Sequence, residues 1–169
     1  MSEENEGPEG SDNLEEPPAF FPYDGNRARE EINSSELVEV QIEGVFAAES
    51  NNKLSHFVLV SDGERKLPII IGPFEARSIQ LIMDNDRPDR PITHDLLKNI
   101  LDRLEYPLDR VVIDDFWNTV YYAKLYLKKG GDGEEVEIDA RPSDAIALAV
   151  RFEAPIYVAD AILESAMDE

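Results

Sequence analysis

The stretch IDARPSDAIALAV, residues 138–150, gathers Asp139, Arg141, Ser143 and Asp144 within six residues, where a strand-like run meets Pro142. Proline suits the first position of a helix, where its missing N–H would have no partner. Ser143 and Asp144 then fall in the first turn, where an oxygen acceptor and a negative charge suit the unpaired N–H groups. Arg141 is not explained in this way, because a cation beside the positive end of a helix needs an anion of its own. Two partners fit. Asp139, two residues back on the same strand face, would close a structural clamp. A substrate phosphate or carboxylate would instead make Arg141 and Asp144 site residues.

A second cluster opens THDLLKNILDRLE, residues 93–105. Thr93 reads as the N-cap and Asp95 as a first-turn acid. At about 100° per residue the apolar stripe centres between Leu97 and Leu104, leaving His94 on its boundary and Asp95 nearly opposite. Histidine titrates near neutral pH, so His94 is a candidate for acid–base work or phosphate contact, with a structural boundary role as the competing expectation. His56 alternates with Val58 and Val60 and reads as structural. Glu75 and Arg77, early in the helix that GPFEARSIQLIMD predicts, complete the plausible set. Asp114 and Asp115 are neighbours on a strand, so they point to opposite faces and cannot share one ion without a bulge. Phe116 and Trp117 beside them fit a base-stacking platform or a core.

The elements that must position these residues follow from periodicity. Alternation predicts strands in LVEVQIEGVFAA and EEVEIDA, a hairpin across Asp62-Gly63, two strands with a turn near Asn118, and a short strand in APIYVA. Helices are predicted from Pro73, from Thr93, over 142–153, and in ADAILESAM. Strands and helices alternate irregularly, which predicts an α+β fold: one domain over residues 36–169, with a mixed β-sheet packed against several helices. Residues 1–35, with four of the 11 prolines and many acids, read as a mostly disordered tail. Its Phe20, Phe21 and Tyr23 are the expected anchor.

The 169-residue chain has no cysteine, which excludes disulfides and thiolate metal sites. No apolar run approaches a membrane span, and the acidic N-terminus is the opposite of a signal peptide, so a cytoplasmic protein is expected. With 37 acidic and 16 basic residues the net charge is −21, which argues against indiscriminate binding of phosphate backbones and suits work in concentrated salt. There is no phosphate-binding P-loop, GxGxxG, HExxH or GxSxG motif.

Four segments, LPIIIGPFEARSIQLIM, RPITHDLLKNIL, RVVIDDFWNTVYYAKL and IDARPSDAIALAVRFEAPIYVA, together resemble the bifunctional nuclease domain family, in its order and spacing from about Leu37 to Ala161. The resemblance implies a mixed-sheet α+β fold, a homo-oligomer with a dimer favoured, and a nuclease acting on both DNA and RNA, as reported for plant members. Phosphodiester hydrolysis needs an activated water, an acid for the leaving oxygen and positive charge around the phosphorane. In that reading His94, Arg141 and Asp144 are catalytic, and Arg77, Ser143 and Thr93 contact substrate. Asp139 and Glu75 hold a divalent metal such as magnesium. The helix starts at Pro73, Thr93 and Pro142 contribute N–H dipoles if they converge. The alternative is a non-catalytic module binding an anion or partner through the same pocket. A single groove lined by Arg77, Arg87, Arg90 and Arg141 would favour the nuclease; arginines each locked to a carboxylate would favour the module.

Overall fold

The computed structural model describes residues 35–50, 52–130 and 133–167. The acidic tail and its aromatic segment lie outside the described residues. The elements run β1 (Leu37–Ser50), β2 (Lys53–Ser61), β3 (Lys66–Ile71), α1 (Pro73–Met83), α2 (Thr93–Arg103), β4 (Leu108–Trp117), β5 (Val120–Lys128), β6 (Glu135–Ala140), α3 (Pro142–Phe152), β7 (Ile156–Ala159) and α4 (Asp160–Ser165). The strands form one mixed sheet in the order β3-β2-β1-β7-β4-β5-β6, and only the β4–β7 pair is parallel. The architecture is α+β, as the alternation predicts.

Local chemistry accounts for the connections. Asp62 ties the β2–β3 hairpin by accepting N–H bonds from Glu64 and Arg65, with Gly63 at φ 100° supplying the reversal. Asn118 and Thr119, both at positive φ, close the two-residue β4–β5 turn. β3 is an edge strand, and Pro68, which cannot donate to a ladder, sits in it without cost.

The helices cover one face of the sheet. α3 lies centrally, against β4 and β5, and is flanked by α1 and α2. Its Ala145, Ala147 and Ala149 are almost fully buried, and the absence of bulk at these positions lets its backbone sit close to its neighbours. Val58, Val60, Leu67, Ile69, Val111, Ile113, Ala123 and Val158 complete the core from the strands.

α2 departs from expectation. Its buried residue is His94, while Leu96, Leu97, Ile100 and Leu104 are 54%, 40%, 45% and 60% exposed. The helix docks by His94, Asp95 and Leu101 and turns the rest of its apolar stripe outward. Its first helical residue is Thr93 itself, so Ile92 takes the N-cap position, and the Asp95 carboxylate accepts the Ile92 N–H at 3.0 Å. Thr93 therefore does not cap the helix.

Candidate functional site

Three helix starts meet at one place. α1 brings Glu75, α2 brings His94, and α3 brings Arg141 at its N-cap and Asp144 in its first turn. Asp144 is the hub. Its Oδ1 accepts from His94 Nε2 at 3.1 Å and from Arg141 Nη2 at 3.0 Å, and its Oδ2 accepts from Arg141 Nε at 2.7 Å. Arg141 Nη2 also donates to Glu75 Oε1 at 3.0 Å. On the far side of the imidazole, Nδ1 lies 2.8 Å from Ser78 Oγ in the interior. His94 and Arg141, predicted to share a cleft, thus bond the same carboxylate oxygen.

The charges follow from this geometry. Burial pushes the Asp144 carboxyl up, but the bonds from Arg141 and His94 outweigh it and hold the group below the usual carboxylate range. Asp144 is therefore ionised at neutral pH, which requires His94 Nε2 to carry a hydrogen and donate it. The other ring nitrogen, Nδ1, shares its bond with the Ser78 hydroxyl. The Arg141 side chain is 68% exposed, and its Nη1 makes no bond to another described residue, so one edge of the guanidinium faces solvent. Gly72, the residue before α1, allows Glu75 to curl back to this position, because a Cβ on Gly72 would run into the Glu75 carboxylate.

Beneath the site lies a support that periodicity does not reveal. The Arg151 side chain, only 2% exposed, donates to Asp95 Oδ1 at 2.7 Å, to the Ala147 carbonyl at 2.8 Å and to the Ser78 carbonyl at 3.2 Å. Burial raises the Asp95 carboxyl, and the bonds from Arg151 and the Ile92 N–H bring it below its ordinary value. Arg151 therefore links α1, α2 and α3 directly behind His94. The available signal was a lone arginine one turn after Ala147 in a stretch, residues 145–152, that is otherwise apolar; Ser78, one turn after Glu75, gave none beyond that spacing.

Other expectations fall elsewhere. The clamp between Asp139 and Arg141 does not form: Arg141 turns forward to Asp144 and across to Glu75. Ala140 pairs with the buried Ala123, so strand alternation sends Asp139 to the opposite sheet face, level with Lys124. Glu75 and Asp139 are accordingly not brought together. Among the described residues no group of three or more His, Asp or Glu side chains is placed to hold a metal ion. Ser143 is buried at the second position of α3, and Thr93 and Arg77 are exposed. Asp114 pairs with Lys124 at 2.7 Å beside a bulge between Ile113 and Asp115, and Phe116 rests on Tyr121 with ring centroids 4.5 Å apart. Arg77, Arg87 and Arg90 form no ion pair with another described residue. The four arginines do not line one groove. Arg87 borders a cleft of about 760 Å³ between the C-terminal ends of α1 and α3 and the first turns of α2, and Arg141 does not line it.

A family model described as "Bifunctional nuclease domain" matches residues 57–169, which include every residue of the cluster and its support. The chain belongs to the bifunctional nuclease domain family. An uncharacterized protein of Mycobacterium tuberculosis is 35% identical over 128 residues, 76% of this chain and 75% of its own length. Bifunctional nuclease 1 of Oryza sativa subsp. japonica is 39% identical over 95 residues, and Bifunctional nuclease 2 of Arabidopsis thaliana is 37% identical over 93. Each of these two alignments covers 54% of this chain and 28% of the plant protein, so this chain matches little more than a quarter of those relatives. No helix among the described residues is long and apolar enough to cross a membrane.

Proposed function

We propose that this bifunctional nuclease domain hydrolyses phosphodiester bonds of DNA and RNA at the Arg141–Asp144 pair. The observation that carries the reading is the fixed, half-open guanidinium. Glu75 and Asp144 hold Arg141 through Nε and Nη2, leaving Nη1 free for a non-bridging phosphate oxygen, where it offsets the charge that grows on the phosphorane. Asp144 accepts a proton from the attacking water as the new P–O bond forms. The ester P–O bond breaks, and the same proton passes to the departing oxygen. His94, with both ring nitrogens engaged, is a positioning residue that orients Asp144 and does not touch substrate. Family membership supports the substrate class.

The test is cleavage of single-stranded DNA, duplex DNA and RNA by highly purified protein, with and without EDTA and across salt. Arg141→Ala and Asp144→Asn serve as controls. Loss of the base predicts a fall of about 100-fold or more, with the melting temperature near that of the parent. The net charge of −21 repels a polyanion, so binding should improve as salt shortens the screening length to about 10 Å at 0.1 M. Equal cleavage by both variants would assign the activity to a contaminant. A second reading rests on the double lock on Arg141, which suits a site that holds an anion without turning it over. Phosphate binding abolished by Arg141→Ala, with no cleavage by the parent, would favour that module.

A further inference from the structure

We infer that Phe74 and Phe116 are base-stacking platforms on either side of Arg141, so that the site takes its nucleic acid as a single strand, a role that rests on the nuclease reading of Arg141. Phe74 is the second residue of α1, next to the Glu75 that bonds Arg141, and is 84% exposed. Helical side chains lean towards the N-terminus of their helix, so its ring stands at the surface where the three helix starts meet. Arg77 follows one turn later on the same face, exposed and in no ion pair with another described residue. Phe116 approaches from the sheet. Ala140, the last residue of β6, pairs with Ala123, so the chain leaves the sheet at Arg141 level with Tyr122. The β4–β5 hairpin runs on past this point, and there Phe116 pairs with Tyr121. Alternation from the buried Ala123 puts Tyr121 and its cross-strand partner Phe116 on the helix-covered face, where α3 begins. Tyr121 packs against the core, and Phe116, 38% exposed, lies against it with ring centroids 4.5 Å apart. A ring backed by another ring is held in place while its far side stays open.

The net charge selects the ligand. Affinity for nucleic acid without regard to sequence ordinarily comes from cations that displace phosphate counterions. A chain of net −21 has little of this to draw on, and Arg141 is itself shared between Glu75 and Asp144. Stacking needs no charge, persists in salt and is open to any base with a free face. A duplex offers no such face, because its bases already stack on one another. A single strand can turn one base onto each ring while the phosphate between them meets Arg141 Nη1. DNA and RNA present the same base faces, so stacking also suits a site that accepts either sugar.

The test reads binding apart from cleavage. A fluorescein-labelled phosphorothioate oligothymidine of about 15 nucleotides, which resists hydrolysis, is titrated with the full chain by fluorescence anisotropy, alone and annealed to its complement. The single strand should bind at least about 10-fold tighter than the duplex. Phe74→Ala and Phe116→Ala should each weaken single-strand binding by about 5- to 150-fold and leave duplex binding unchanged, while Phe116→Tyr, which keeps the ring, should match the parent. Phe46→Ala is the control: Phe46 is 45% exposed and stacked on Phe57, on the opposite sheet face from the buried Val58 that its neighbour Val45 pairs with. It should bind as the parent does. Phe74 is too exposed for its loss to disturb packing, so that variant decides the matter even if Phe116→Ala folds poorly. Equal single-strand binding by the parent and Phe74→Ala, a duplex bound as tightly as the single strand, or a comparable loss for Phe46→Ala would overturn the assignment. Cleavage without stacking would leave the nuclease reading standing while this inference falls, and stacking without cleavage would do the reverse.

Discussion

Arg151→Met is the sharpest probe of how the site is held. Methionine is close in length to the aliphatic stem of arginine, so the change removes the guanidinium with little loss of packing. Three bonds go, at 2.7, 2.8 and 3.2 Å, leaving Asp95 without its counter-ion and the carbonyls of Ala147 and Ser78 with only their helical partners. Removing one partner of a buried pair costs about 3–5 kcal/mol. The Asp95 side chain is 24% exposed and can recover some hydration, which places the expected loss near the lower figure. About 3 kcal/mol lowers Tm by roughly 10 °C in a domain of this size. Urea unfolding and calorimetry measure it, and adding Asp95→Asn to the variant should cost much less than it does alone, because the two act through one bond. A fall of less than about 1 kcal/mol, or strictly additive effects, would refute the claim that Arg151 carries the junction of α1, α2 and α3.

Two further predictions follow from the carboxylates. Asp62 is held at about 2, first by the backbone N–H groups of Arg65 and Glu64 and then by the Arg65 guanidinium, and Asp95 and Asp144 also lie below their ordinary values. A carboxyl with a lowered folded-state pKa stabilises above its unfolded value, near 4, and loses that contribution as pH falls through the folded value. Thermal melts should therefore decline most steeply between about pH 4 and pH 2, less so for Asp62→Asn; a decline centred above pH 5 would contradict the assignment. Gly72→Ala should displace Glu75 from Arg141 while leaving Tm nearly unchanged, since Gly72 has an ordinary φ of −74°. Phosphate binding or turnover that is also unchanged would show that Glu75 does not orient the guanidinium.

Much of the fold was legible because local chemistry sets it. Alternation placed the strands, and positive-φ residues placed the turns at Gly63 and at Asn118-Thr119. Pro73 and Pro142 marked two helix starts, and the resemblance to the bifunctional nuclease domains rested on segments that the family match includes. The site residues Glu75, His94, Arg141 and Asp144 were named from residue type and first-turn position alone. Their mutual arrangement was not in the sequence. An apolar stripe shows which face of a helix prefers to leave water, but not whether the covering surface belongs to the same chain, so α2 reads as inward-facing and is found outward. Strand alternation on β6 gave Asp139 and Arg141 a common face only if the strand continued past Ala140. It stops there, and the choice of Asp144 and Glu75 over Asp139 was left to the convergence of α1 and α3. The role of Arg151 depends on carbonyls contributed by α1 and by its own helix. Partners separated by 16 to 73 residues in the chain, such as Ser78 with His94 and with Arg151, meet only when the helices dock, and that docking is a property of the tertiary structure.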